Sequence, residues 1–157
     1  MRATIEAPDG VAHRLVVRVY YEDTDAAGIV YYANYLKFAE RARTEWLRSL
    51  GLTHPALERE QGVVFVVRQC LVDYLAPARL DEELMVESRV AAVGCASVVM
   101  QQEIARAGQR LVRLRVKLAA VGGNGRPLRL PVALRQRLLP PAAVPAAATE
   151  VKQPREM

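Results

Sequence analysis

VRVYYEDTDAAGIVYYANYLKFAERARTEWLRSLG, Val17 to Gly51, passes from an alternating segment through an acidic loop into a long amphipathic one. Residues 14–21 alternate apolar and polar side chains and are rich in valine and tyrosine, which predicts a strand. Glu22 to Gly28 then supplies Asp, Thr and Gly, the residues of turns. Beyond it Tyr35, Phe38, Ala39, Ala42, Trp46 and Leu50 recur at helical spacing, while Lys37, Arg41, Arg48 and Ser49 fall elsewhere. A helix over 34–50 is expected, stopped by Gly51. At 1.5 Å per residue it is about 25 Å long, enough to cross a curved sheet from edge to edge.

Working outward, nearly everything downstream reads as strands. A second helical or irregular piece falls around 54–61, with His54 in an ordinary loop role before Pro55. Strands are expected over 63–75, 83–93, 97–105 and 110–121, ended by Pro77, Gly94, Gly108 and the turn Gly122-Gly123-Asn124-Gly125. In the last of them Leu114, Val116 and Leu118 oppose Arg113, Arg115 and Lys117 at period two. One apolar-faced helix followed by four or more short-linked strands is an α+β order. With no helical partner available, the sheet must wrap around the helix: a hot-dog fold. Residues 1–10 read as a flexible arm, 11–139 as one domain, and the Ala- and Pro-rich 140–157 as a disordered tail.

The 157 residues, 52% hydrophobic and 25% charged, suit one globular domain with a core of its own. Cys70 and Cys95 lack CxxC spacing, so neither a disulfide framework nor a zinc site is expected, and both read as buried thiols. No leader and no apolar run near 18 residues is present, which predicts a cytoplasmic protein. The net charge of +5 is unevenly spread. Residues 1–103 hold 11 basic against 15 acidic side chains, whereas 104–139 hold nine basic and none acidic. That segment must meet an anion or be strongly solvated.

Chemistry concentrates in residues 20–38, which contain six of the nine aromatic residues together with Glu22, Asp23 and Asp25. A carboxylate against apolar and aromatic surfaces has its pKa raised by desolvation and can serve as base or nucleophile. Free N–H groups at the start of the following helix can hold a developing oxyanion. The same acids equally suit helix capping, and the same tyrosines equally suit packing. Spacing alone leaves both readings open.

The quoted segment, with Val66-Val67-Arg68 and Val72-Asp73-Tyr74-Leu75-Ala76-Pro77-Ala78-Arg79-Leu80-Asp81, resembles the hot-dog acyl-CoA thioesterases of the 4-hydroxybenzoyl-CoA thioesterase class, and within it the bacterial Tol-Pal-associated branch. The likeness covers roughly 14–138. It implies that Asp25, the second aspartate of the D-x-D-x-x-G-x-V motif, is the catalytic carboxylate and that Asp23 supports the loop. It also implies that the backbone N–H of Tyr32 is the oxyanion donor. Many relatives carry histidine at that position; a backbone N–H survives the exchange, an imidazole role does not. Gly28, Tyr31 and Tyr35 become candidate pocket residues. The resemblance further implies an acyl-CoA or acyl carrier protein substrate, no metal or organic cofactor, and a homodimer or homotetramer with sites between protomers. The alternative is a non-catalytic acyl-CoA-binding or envelope-complex partner. A hot-dog dehydratase would need a catalytic histidine, and His13 and His54 lie outside the motif.

A coenzyme A ester brings phosphates, which arginine forks suit. Arg113, Arg115 and Lys117, with Arg126 and Arg129, are therefore candidates for its nucleotide end. Nucleic acid is disfavoured as a partner because 104–139 contains no Phe, Tyr or Trp on which bases could stack.

Overall fold

The structure, a computed structural model, describes residues 5–6 and 12–140. Strands β1 (Ile5–Glu6) and β2 (His13–Arg18) precede a 3-10 turn, Tyr21–Asp23, and helices α1 (Asn34–Ser49) and α2 (His54–Gln61). Then come β3 (Val64–Tyr74), β4 (Glu83–Val93), β5 (Ser97–Arg106), β6 (Gln109–Val121) and the short helix α3 (Val132–Leu138). The sheet is antiparallel in the order β4-β5-β6-β3, and β1 and β2 share the outer edge of β4. This is the expected α+β hot-dog arrangement. Ile5–Glu6 pairs with Val93 and Ala92, where the sequence alone suggests a flexible arm. The other arm residues and the tail beyond Pro140 lie outside the described residues. His54 opens α2 rather than a loop, because the Thr53 side chain caps Ala56 N–H and Pro55 tolerates the first turn.

Helix α1 buries Tyr35, Phe38, Ala39, Ala42, Trp46 and Leu47 against β2, β4 and β5. The alternation of β6 puts Val112, Leu114, Val116 and Leu118 on that same inner face. One polar side chain crosses the core: Gln102, fully buried on β5, donates to Ala39 C=O and Ser88 Oγ at 2.9 Å and accepts from Arg43 at 3.0 Å. Burial lowers the Arg43 pKa, with Glu40 acting against it. Gln102→Leu roughly preserves volume but strands the Arg43 guanidinium and the Ser88 hydroxyl and removes a second bond from Ala39 C=O, so we expect a loss of about 3 kcal/mol. Thermal unfolding should show it as a Tm about 10 °C lower.

Helix α1 does not reach across the whole sheet. The last strand, β3, pairs with β6 on one side and has a free edge on the other. Its inward residues, set opposite the buried Val112, Val116 and Leu118, are Tyr74, Cys70 and Val67, and all three are exposed. Cys70 and Cys95 are therefore not buried thiols: the first lies on this uncovered edge and the second in the β4–β5 turn. The basic segment is also less bare than its sequence suggests. Cross-strand pairing brings Glu103 to Arg110 and Asp73 to Arg113, and the loop before β4 brings Glu82 to Arg106.

Candidate active site

The acidic loop is organised by its first aspartate. Asp23 is buried; its carboxylate accepts Tyr20 N–H at 2.8 Å, and its carbonyl accepts Tyr31 N–H at 2.8 Å and the Asn34 side-chain amide at 2.9 Å. These bonds fold the loop back onto the start of α1. Inside that staple runs a small hairpin, in which Thr24 bridges Val30 and Asp25 N–H donates to Ile29 C=O at 2.9 Å. Gly28 closes it with φ at +77°, a left-handed value that favours glycine, and donates to Asp25 C=O. Gly28 thus shapes the turn that presents Asp25.

Asp25 sits at the exposed tip. One carboxylate oxygen accepts Ala27 N–H at 2.8 Å, and the other has no partner among the described residues. The desolvating surroundings expected from the sequence are not supplied by the residue's own chain, since Asp25 is exposed. Further along, the segment entering α1 carries Tyr32 and Ala33, whose backbone N–H groups donate to nothing among the described residues. They lie at the positive end of a 16-residue helix, where an oxyanion is favoured. The loop thus carries a free carboxylate oxygen within its hairpin, Thr24 to Val30, and free N–H donors two and three residues after it, at the start of α1.

Aromatic rings lead from this point inward. Tyr31 and Tyr32 pack edge-on at 4.9 Å between centroids, Tyr32 meets Tyr74 at 6.1 Å, and Tyr35 meets Tyr74 at 5.8 Å and Phe38 at 6.2 Å. Tyr31 and Tyr32 are exposed, whereas Tyr35 is only 3% exposed and stands behind them. A hydrogen bond with Tyr32 holds the Tyr31 phenol above its usual pKa. Sequence reasoning missed Tyr74, whose hydroxyl donates to Tyr32 C=O at 3.0 Å. Its one signal was that it is the only tyrosine outside residues 20–35.

The basic ladder lies elsewhere, on the outer face of the sheet. Arg113 faces Asp73 and Glu103, Arg115 faces Leu71 and Gln101, and Lys117 faces Gln69 and Val99. Arg113 is paired with Asp73 at 3.2 Å, so Arg115 and Lys117 are the members with no ion pair among the described residues. Arg126 and Arg129 sit beyond β6, both exposed.

The thioesterase superfamily pattern matches residues 27–113 of this sequence. The chain belongs to that superfamily. This thioesterase is 47% identical over 116 residues to the acyl-CoA thioesterase YbgC of Haemophilus influenzae, covering 73% of this chain and 85% of the relative. Among solved structures it is similar to a probable thioesterase from Bartonella henselae, with TM-score 0.73 and 36% identity over 77% of this chain and all of that one. A 4-hydroxybenzoyl-CoA thioesterase variant bound to 4-hydroxybenzoyl-CoA shares the fold, with TM-score 0.76 and 21% identity over 82% of this thioesterase and 98% of that chain. The sequence-based expectation of a hot-dog thioesterase is borne out by these likenesses.

Proposed function

We propose that this thioesterase hydrolyses acyl-CoA through Asp25 and the Tyr32 backbone N–H. The observation that carries the reading is that one short loop, tied to the start of α1 through Asp23, holds a carboxylate oxygen and helix-start N–H groups that are all unpartnered among the described residues. The thioester carbonyl docks on the Tyr32 N–H, which stabilises negative charge as the carbonyl carbon is attacked. Asp25 either takes a proton from the attacking water or itself attacks, giving an aspartyl anhydride that water then cleaves. Both routes release the fatty or aromatic acid and the CoA thiol, and both require the ionised carboxylate. Tyr31, Tyr32 and Tyr74, with Tyr35 behind and Gly28 at the turn, form the wall beside the thioester. A hydrolysis screen over short-chain, long-chain and aromatic CoA thioesters tests the proposal. Turnover on at least one class supports it, and negligible rates on all would favour a non-catalytic acyl-CoA-binding partner.

Coenzyme A phosphates meet Arg115 and Lys117, with Arg113, Arg126 and Arg129 as neighbouring cations. An Arg115→Ala/Lys117→Ala double variant should raise KM for CoA esters about five-fold while leaving KM for pantetheine thioesters unchanged, as expected when uniform binding to the nucleotide end is lost. Equal effects on both would remove these residues from the nucleotide site. An acyl carrier protein is the second substrate form of the same reading, and the cytoplasm, where such thioesters are made, is its location. Among the described residues no helix is long and apolar enough to cross a membrane. The free, apolar edge of β3 supports a homodimer built strand to strand, from which a homotetramer can be assembled.

A further inference from the structure

One peptide group ties the reactive hairpin to the core. Ala78, fully buried in the loop after β3, donates its N–H to the Tyr35 hydroxyl at 2.9 Å and accepts Val30 N–H on its carbonyl at 2.9 Å. Ile29 bridges the next residue, Arg79. Val30 lies between the turn that carries Asp25 and the pair Tyr31-Tyr32, so whatever fixes Ala78 fixes both halves of the site relative to α1. The remainder of this strap is anchored separately. Arg106 holds Pro77 C=O and the Glu82 carboxylate, and Arg18 holds the carbonyl of Asp81, a residue with φ at +68°. Tyr35 is the only connection among these that comes from the helix. Burial above all raises its pKa, the Ala78 N–H lowers it, and Glu82, Arg106 and Asp25 act at longer range. The phenol is thus a neutral hydroxyl in the field of the site.

We propose that Tyr35 is a positioning residue for hydrolysis: through the Ala78 peptide it sets the Asp25 carboxylate and the Tyr32 N–H at the separation the thioester requires. The proposal rests on the reading of Asp25 and Tyr32 as the reacting groups and names what holds them. Tyr35→Phe keeps the ring and deletes only the oxygen, leaving a buried N–H without an acceptor. Misplacement of reacting groups by about 1 Å costs on the order of 100-fold, so a loosened hairpin should lower kcat about 10–100-fold. KM should stay within about three-fold, because the binding surface is intact.

The test combines steady-state kinetics on the full-length protein with amide hydrogen exchange. In Tyr35→Phe, exchange should rise in peptides covering 24–31 and 75–80. Leu134→Ala, a buried site on α3 away from the strap, controls for general destabilisation and should leave kcat and those two segments unchanged. Unchanged exchange in Tyr35→Phe overturns the inference, as does raised exchange with kcat intact. Asp25→Asn separates that second case from failure of the site reading, since its own loss of hydrolysis marks the hairpin as the reacting element. If Tyr35→Phe does not fold, Arg106→Gln loosens the same strap at Pro77 and Glu82. It should raise exchange over 75–80 and lower kcat at least about three-fold at constant KM. Wild-type behaviour of that variant overturns the inference.

Discussion

Asp25→Asn should lower kcat for acyl-CoA hydrolysis by about 1,000-fold, the scale on which a positioned base or nucleophile contributes. The substitution is nearly isosteric. An asparagine side-chain oxygen still accepts the Ala27 N–H, so the turn closed by Gly28 survives. Nothing buried changes, because Asp25 is exposed, and Tm should stay within about 2 °C, as for surface substitutions generally. What disappears is the second oxygen, which has no partner among the described residues and must carry the negative charge. An amide neither accepts the proton of water at neutral pH nor attacks a thioester. Asp23 gives the contrasting case: it is buried and bonded to Tyr20 N–H, so its loss acts on the loop as a whole. Wild-type turnover in Asp25→Asn would take the chemistry away from this carboxylate.

Val67→Lys should convert a dimer to a monomer and remove most of the hydrolysis, by roughly 100-fold, as expected when the partner that shields the site from water is lost. Strand β3 spans 11 residues and is bonded along one side only. Val66, Val67, Leu71, Tyr74 and Leu75 on and just after it are 42–57% exposed. An apolar, unpaired edge of this length is the kind that natural proteins cover or charge. In the proposed homodimer a two-fold axis through the middle of β3 would run each strand antiparallel to its copy, so that the Tyr74 end of one strand would meet the Val64 end of the other. Tyr74 bonds to Tyr32 C=O, so that pairing would bring the partner's strand to the end of β3 that contacts the segment entering α1. Such a partner would supply the desolvation that the single chain lacks at Asp25. A lysine at position 67 puts an unpaired charge in the seam while disturbing little of its own core, where Val67 is half exposed. Light scattering after gel filtration reads the mass directly, and thiol labelling reads the seam. Cys95 should react while Cys70 is protected in the wild type, and both should react in the variant. A wild-type monomer at micromolar concentration, or a Val67→Lys dimer with full activity, would refute the arrangement.

Much of this was legible without coordinates because the signals are local. The stripe Tyr35, Phe38, Ala39, Ala42 and Trp46 defines α1 through a period that any helix with one wet face must show. The alternation Arg113, Arg115, Lys117 against Leu114, Val116, Leu118 likewise predicts which side of β6 faces the helix. Asp25 and Tyr32 came from resemblance. The sequence missed groups whose partners are distant along the chain. Arg113 looked uncompensated because Asp73 is 40 residues away and becomes its neighbour only when β3 pairs with β6. Ala78 carried no chemical signal at all, since its role comes from a peptide group that every residue possesses.

The order of strand and helix and the inner face of each element were thus set by periodicity and composition, which act between near neighbours, while the choice of reactive loop rested on resemblance. Strand order left β3 at the edge, and that determined which valines and which cysteine are exposed and which arginines find carboxylates. It also brought Tyr35, Ala78 and Val30 into one hydrogen-bonded path. The physical reason is that exposure and hydrogen-bond partnership are properties of pairs of surfaces, and a chain acquires its pairs only on folding.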